Sequence, residues 1–304
     1  LGSAADQDAV SNFEPVLTEL NANVSFTDEA VTDETNSLTD DPAVFTTGNV
    51  SDAYADLFTS FTTENMTSTQ PSGVGPVMLD SVSSLLNANG EPLTNDSVVA
   101  VSAESTATNS DTDGNGDAVS YPSGTDIPVV AVDGSVVGVT GPFVASNTNF
   151  SYGNEEVMLN IYDELLGGSG TIVHDEGHGQ FYTLASNGGN DFQEFASYAE
   201  TNGYTYEATT NVTANLSSAD AVVITSPSDA YTQSERDALA EFAANGGVVV
   251  LHDQSDFNDF DATANHNEIA HALNASFRFN DDQVTDSASN TGADDATTAS
   301  AARV

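Results

Sequence analysis

Five histidines and a few acidic clusters carry most of the chemistry this sequence can offer. All five lie in its second half: His174, His178, His252, His266 and His271. His174, Asp175, Glu176 and His178 follow a short apolar run, Thr171–Val173, and His252 and Asp253 follow another, Val248–Leu251, with Asp256 close behind. Imidazole mixed with carboxylate suits a divalent transition metal, and a site with an open position can activate water for hydrolysis. On that reading His174, Asp175, Glu176, His178, His252 and Asp253 are the metal ligands, and Glu176 and His178 are the catalytic candidates. The alternative is structural. The carboxylates then accept backbone N–H groups near a helix start, and the histidine bridges neighbouring loops. His266 and His271 are five residues apart and do not share one helix face, so they read as surface or packing residues. A second cluster, Asp111-Thr-Asp-Gly-Asn-Gly-Asp117, alternates oxygen ligands (Asp111, Asp113, Asn115, Asp117) with glycine in the manner of a calcium loop. The twelfth position is Pro122, where an EF-hand has Glu, and a solvated acidic loop is the competing reading. The chain has no cysteine and no Gly-x-Ser-x-Gly elbow, and Ser169 falls in a glycine turn, so a Ser or Cys nucleophile has little support.

The elements that must position these residues alternate. After the 170–173 strand the pattern predicts a helix over 191–201, a strand over 204–209, a buried strand over 220–225 and a helix over 232–245. Gly246-Gly247 caps that helix, and a strand follows over 248–251. Strands apolar on both faces between helices point to a parallel, doubly wound sheet with its sites at the strand carboxyl ends. An internal duplication extends this plan. Asn36–Tyr54 matches Asn215–Tyr231 in order and residue type, with an amphipathic helix upstream of each and Leu-Asn-Ala downstream at 86–88 and 273–275. The expected fold class is therefore α/β: two tandem flavodoxin-like, doubly wound parallel-sheet domains, the first degenerate. Residues 1–167 form the first domain, 168–284 the second and 285–304 a disordered tail or linker, with tail-like composition already setting in at Asp281. The first domain lacks the opening strand. It carries an extra section instead: strands over 97–102, 126–132 and 135–139, and a helix over 155–166.

Composition bounds the setting. Asp and Glu number 47 against three Lys plus Arg, a net charge of −44. Self-repulsion on that scale opposes compaction in dilute buffer and is largely screened at molar salt. Because 38% of residues are hydrophobic, the chain reads as a folded protein of brine, not as a disordered acidic one, and it resembles proteins of extremely halophilic archaea. The acidic balance argues against nucleic-acid partners, and no apolar run is long enough to cross a membrane as a helix. Leu1 in place of Met suggests a mature or trimmed form. Eight Asn-x-Ser/Thr sequons, at Asn23, Asn49, Asn65, Asn95, Asn149, Asn211, Asn215 and Asn274, point to an extracellular or cell-surface glycoprotein.

Gly168–Gln180 and Gly246–Asp256 resemble the glutamine-amidotransferase-like superfamily. The closer likeness is to its uncharacterised branch related to gliding-motility-type transport accessory proteins and intraflagellar-transport proteins, which carries an Asp-Glu-x-His motif after its first strand. Residues 127–166 resemble the closing part of the same domain. Amidotransferases use a Cys nucleophile, so the resemblance does not bring glutaminase chemistry with it. It implies a protein-interaction module. The expectation is thus a non-enzymatic surface or secreted binding and assembly module that meets a protein partner or itself through exposed sheet edges. The competing class is a metal-dependent hydrolase with a divalent transition metal in the His/Asp/Glu crevice, and Ca2+ is the separate candidate at Asp111–Asp117.

Overall fold

In the computed structural model, residues 44–47, 77–95, 97–111, 116, 118–145, 152–184, 191–255 and 262–286 are described. Twelve strands and five helices lie among them. The strands are β1 (Val44–Thr47), β2 (Val77–Asp80), β3 (Ser83–Asn87), β4 (Val99–Ala103), β5 (Thr108–Ser110), β6 (Ile127–Asp133), β7 (Val136–Val139), β8 (Gly170–Asp175), β9 (Tyr204–Thr209), β10 (Ala221–Thr225), β11 (Val248–His252) and β12 (Phe277–Thr285). The helices are α1 (Asn154–Leu166), α2 (Gln193–Thr201), α3 (Val212–Asn215), α4 (Gln233–Ala244) and α5 (Thr263–Ala272).

Seven strands form the central sheet, in the order β4-β6-β7-β11-β10-β8-β9. From β7 to β9 every pairing is parallel, whereas β6 pairs antiparallel with both β7 and β4. The alternation of side chains explains why the strands read as continuous apolar runs. Val223 and Val250 face a core shared with Val157, Met158 and Ile161 of α1 and Phe195 and Ala199 of α2. Val222, Ile224, Val249 and Leu251 face a second core with Val212 of α3, Leu239 of α4, Ile269 of α5 and Phe277 and Phe279 of β12. With both faces covered, no face of the central strands is left for polar residues. A three-stranded antiparallel sheet, β3-β12-β5, lies on the second face. Gly138 of β7 is required there, because a Cβ would come within 2.4 Å of the Phe277 ring.

The α/β class and the parallel-rich sheet agree with expectation. The sheet itself crosses residue 167. β4, β6 and β7, expected to close the first domain, pair onward through β7 with β11 of the second. A strand ending in a carboxyl-edge polar cluster can be completed from either side of the chain, and here residues 136–139 supply the neighbour. The first copy's residues 1–43 and 48–76 lie outside those described. Residues 281–285, read as the start of the tail, finish β12, the middle strand of the smaller sheet. Their alternation of polar and apolar residues fits a strand with one face on a core: Asp282 and Val284 are buried, Asp281 and Gln283 less so.

Candidate functional site

The carboxyl ends of β8, β10 and β11 bring His174-Asp175, Thr225-Ser226 and His252-Asp253 to one edge of the sheet. The parallel register sets this: Val223 lies beside His174, and Thr225 beside His252. Two hydrogen-bonded clusters result.

The first centres on Asp175, which is fully buried. Its Oδ1 accepts the Gly177 N–H at 2.9 Å. Its Oδ2 accepts from His178 Nδ1 at 2.9 Å, from Gln180 Nε2 at 3.0 Å and from the Tyr231 hydroxyl. His178 holds a left-handed backbone at φ 56° and stacks on Tyr231, ring centroids 3.8 Å apart. Its Nε2 lies 3.3 Å from Glu235 Oε1. A neutral imidazole can donate to only one of these two carboxylates; only the doubly protonated ring donates to both. Glu235 is the third residue of α4 and closes a capping box with Thr232. Burial would raise its pKa, but hydrogen bonds from Thr232 and the facing His178 hold it below the usual carboxylate value. Burial, followed by the Asp175 charge, pushes the Tyr231 phenol well up, so it stays a donor. Gln180 completes the cluster by accepting the Thr225 N–H at 2.6 Å. Glu176 turns away to accept the Leu184 N–H at 3.1 Å.

The second cluster centres on Asp253, also fully buried. Its Oδ1 accepts from Ser226 Oγ at 3.2 Å and faces His266 Nδ1 at 3.3 Å, and its Oδ2 accepts from Thr263 Oγ1 at 3.0 Å. Burial alone would raise its pKa, yet the His266 ring, the Thr263 hydroxyl and the Gln254 backbone N–H lower it. Between the clusters sit two buried imidazoles. His174 donates from Nε2 to the Tyr182 carbonyl at 3.1 Å, leaving Nδ1 without a protein partner. His252 has no protein partner on either nitrogen and packs edge-on against Phe192 at 5.0 Å. Burial lowers the pKa of both, and the nearby His266 and His174 add to the effect at His252, which falls to about 3.

The six residues expected to hold a metal therefore share one edge but not one centre. Asp175 and His178 turn to each other, Glu176 to a backbone amide, and Asp253 to Ser226, Thr263 and His266. Among the described residues no group of three or more His, Asp or Glu could hold a metal ion. Of the calcium-loop candidates, Asp113, Asn115 and Asp117 lie outside the described residues, as does Asp256. Asp111 Oδ2 accepts the Gly116 N–H at 3.1 Å. His271 is exposed, whereas His266 is fully buried and packs on Phe279. The sequence reading gave Gln180, Tyr231, Glu235, Ser226 and Thr263 no role in a site. The Ser-Pro at 226–227 and the Thr-x-x-Glu at 232–235 mark only Ser226 and Glu235, as turn and helix start.

A family model described as a domain of unknown function, DUF4350, matches residues 185–304. That stretch contains β9 to β12 and the Asp253 cluster, and it begins after the loop that carries Asp175 to Gln180. No curated protein and no solved structure matches the chain.

Proposed function

We propose that this chain is a non-enzymatic binding or assembly module of an extracellular or cell-surface protein from a halophilic archaeon. One observation carries the reading. Asp175 and Asp253 at the sheet's carboxyl edge are each met by neighbouring side chains, and Asp175, Asp253, His174, His252 and His266 are all fully buried. Such a network fixes loop conformation and presents little for a substrate to meet. The likeness to amidotransferase-like interaction modules supports the same reading, as does the absence of any cysteine. The tandem duplication is part of the proposal, its first copy contributing β4, β6 and β7 to a shared sheet. Of the two outer strands, β4 is almost wholly buried, and β9 is the surface offered for pairing with a partner strand.

The competing reading, a metal-dependent hydrolase, has one observation in its favour: the unpartnered nitrogens of His174 and His252 beside Asp253. Elemental analysis of protein purified in molar salt separates the two. Less than one transition metal per many chains, with or without His178→Ala, is expected. A stoichiometric metal that is lost in His178→Ala would overturn the binding-module reading.

A further inference from the structure

The acceptor asparagine and the hydroxyl residue of four of the eight sequons lie among the described residues, and their geometries differ. Transfer of a glycan to Asn needs an exposed carboxamide whose nitrogen can act as a nucleophile. In a plain amide that lone pair is delocalised into the carbonyl. Donors placed on Oδ1 stabilise the imidate form, in which Nδ2 has given up a proton and its lone pair is usable. At Asn95, which is exposed, Oδ1 accepts from Ser97 Oγ at 2.7 Å and from the Ser97 N–H at 3.3 Å. At Asn211, also exposed, Oδ1 accepts from Thr213 Oγ1 at 3.0 Å and from the Ala214 N–H at 3.2 Å. In both, the sequon hydroxyl is already on the acceptor amide.

The other two lack this arrangement. Asn215 uses Nδ2 itself as a donor, to Thr209 Oγ1 at 2.8 Å and to the Asn211 carbonyl at 2.9 Å, so the nucleophile is tied down. At Asn274 the backbone is left-handed at φ 56°, and the Ser276 hydroxyl is buried without a hydrogen-bond partner. It is not turned to the carboxamide.

We infer that Asn95 and Asn211 are acceptor sites for N-linked glycan transfer from a polyprenyl-phosphate-linked oligosaccharide, and that Asn215 and Asn274 are not. In the transfer, Nδ2 loses one proton to solvent and bonds to the anomeric carbon. The bond from that carbon to the phosphate oxygen breaks, and the polyprenyl phosphate leaves with the electron pair. This rests on the cell-surface reading above. Asn95 leads into β4 and Asn211 follows β9, so the two glycans stand beside opposite edges of the central sheet.

The test is glycopeptide mass spectrometry of the protein expressed from its complete natural gene in a halophilic archaeal host, with surface and cytosolic fractions analysed separately. Wild type from the surface fraction is expected to carry glycan at Asn95 and Asn211 and none at Asn215 or Asn274. Asn95→Gln and Asn211→Gln each lose one glycan, and Ser97→Ala loses the glycan at Asn95 while keeping the asparagine. A bare Asn95 or Asn211 in surface-located protein overturns the assignment at that position and leaves the surface reading standing. Glycan at Asn215 or Asn274 overturns the geometric argument. Protein found only in the cytosolic fraction overturns both the sites and the reading they rest on.

Discussion

His252 is a fully buried imidazole with no protein partner on either nitrogen, and its pKa is pushed down to about 3. In the unfolded chain the ring takes its ordinary value of about 6.5. Above that pH both states are neutral and the group adds no pH dependence. As pH falls from about 6.5 towards about 3 the unfolded chain binds a proton that the folded chain refuses. Stability then drops by about 1.4 kcal/mol per pH unit, or about 2 kcal/mol by about pH 5. His174, lowered mainly by burial, contributes in the same direction. Replacing His252 with Leu is close to volume-conserving, so packing against Phe192 and Tyr182 changes by less than about 1.5 kcal/mol. It also removes two buried nitrogens that make no hydrogen bond to protein, which offsets part of that. The assay is urea unfolding in molar KCl, followed by circular dichroism, between about pH 8 and about pH 5, where few carboxylates titrate. His252→Leu is expected to match or exceed wild type at the alkaline end and to lose about one proton's worth of slope towards the acid end. Parallel stability curves for the two proteins would refute the reasoning, because they would mean that His252 binds its proton equally in both states.

Three further outcomes follow from other contacts. Tyr231→Phe removes a buried hydroxyl that donates to Asp175 and accepts from Gln180, and should lower stability by about 1–3 kcal/mol, read as a shift in urea midpoint at constant slope; an unchanged midpoint would show the hydroxyl to be dispensable. Gly138→Ala drives a Cβ into the Phe277 ring and should destabilise by about 1–3 kcal/mol, with Phe277→Leu relieving part of the loss in a double-mutant cycle; strictly additive effects would mean the two do not meet. Removing salt should unfold the chain, since the Debye length grows from about 3 Å at 1 M to about 10 Å at 0.1 M and exposes the net charge of −44 to itself. Native circular dichroism retained after dialysis to low salt would contradict the brine reading.

Apart from the short helix α3, the strands and helices of residues 170–252 were legible because their signals are local. Val248–Leu251 is apolar throughout, Gly246-Gly247 ends the helix before it, and Thr232 and Glu235 form the capping box that starts it. The pairing of β7 with β11 was not legible. It joins residues more than a hundred positions apart, and a short run such as Val136–Val139 fits the edge of any sheet with equal ease. β12 was hidden by composition, since Asn280, Asp281, Asp282 and Gln283 look like tail until the buried Asp282 is seen accepting from Asn109 and the Val119 N–H. At the site, sequence brought forward the right loops. It could not say which way Asp175 or Asp253 turns, because their partners come from elsewhere in the chain, Tyr231 from the loop before α4 and His266 from α5.

The charge imbalance bears on this site in a way that composition conceals. Among so many carboxylates, an acidic residue near a histidine has little diagnostic weight as a metal ligand. Burial is what separates Asp175 and Asp253 from the rest. A carboxylate removed from water must be met by donors, or its charge costs several kcal/mol. Asp175 has four donors, and Asp253 has two hydroxyl donors with the His266 ring facing it at 3.3 Å, so each is met within the chain. Arginine has little part in this. Arg236 ties α4 to α5 through Glu268 at 2.7 Å, and Arg278 donates to the carbonyls of Ala275 and Phe277. With almost no cations available, the fold relies on tyrosine, glutamine, serine, threonine and histidine to hold its buried carboxylates. His178 and His266, which face Asp175 and Asp253, are thereby accounted for as parts of that support, and this is the physical ground for reading the two carboxylate clusters at the sheet's carboxyl edge as architecture.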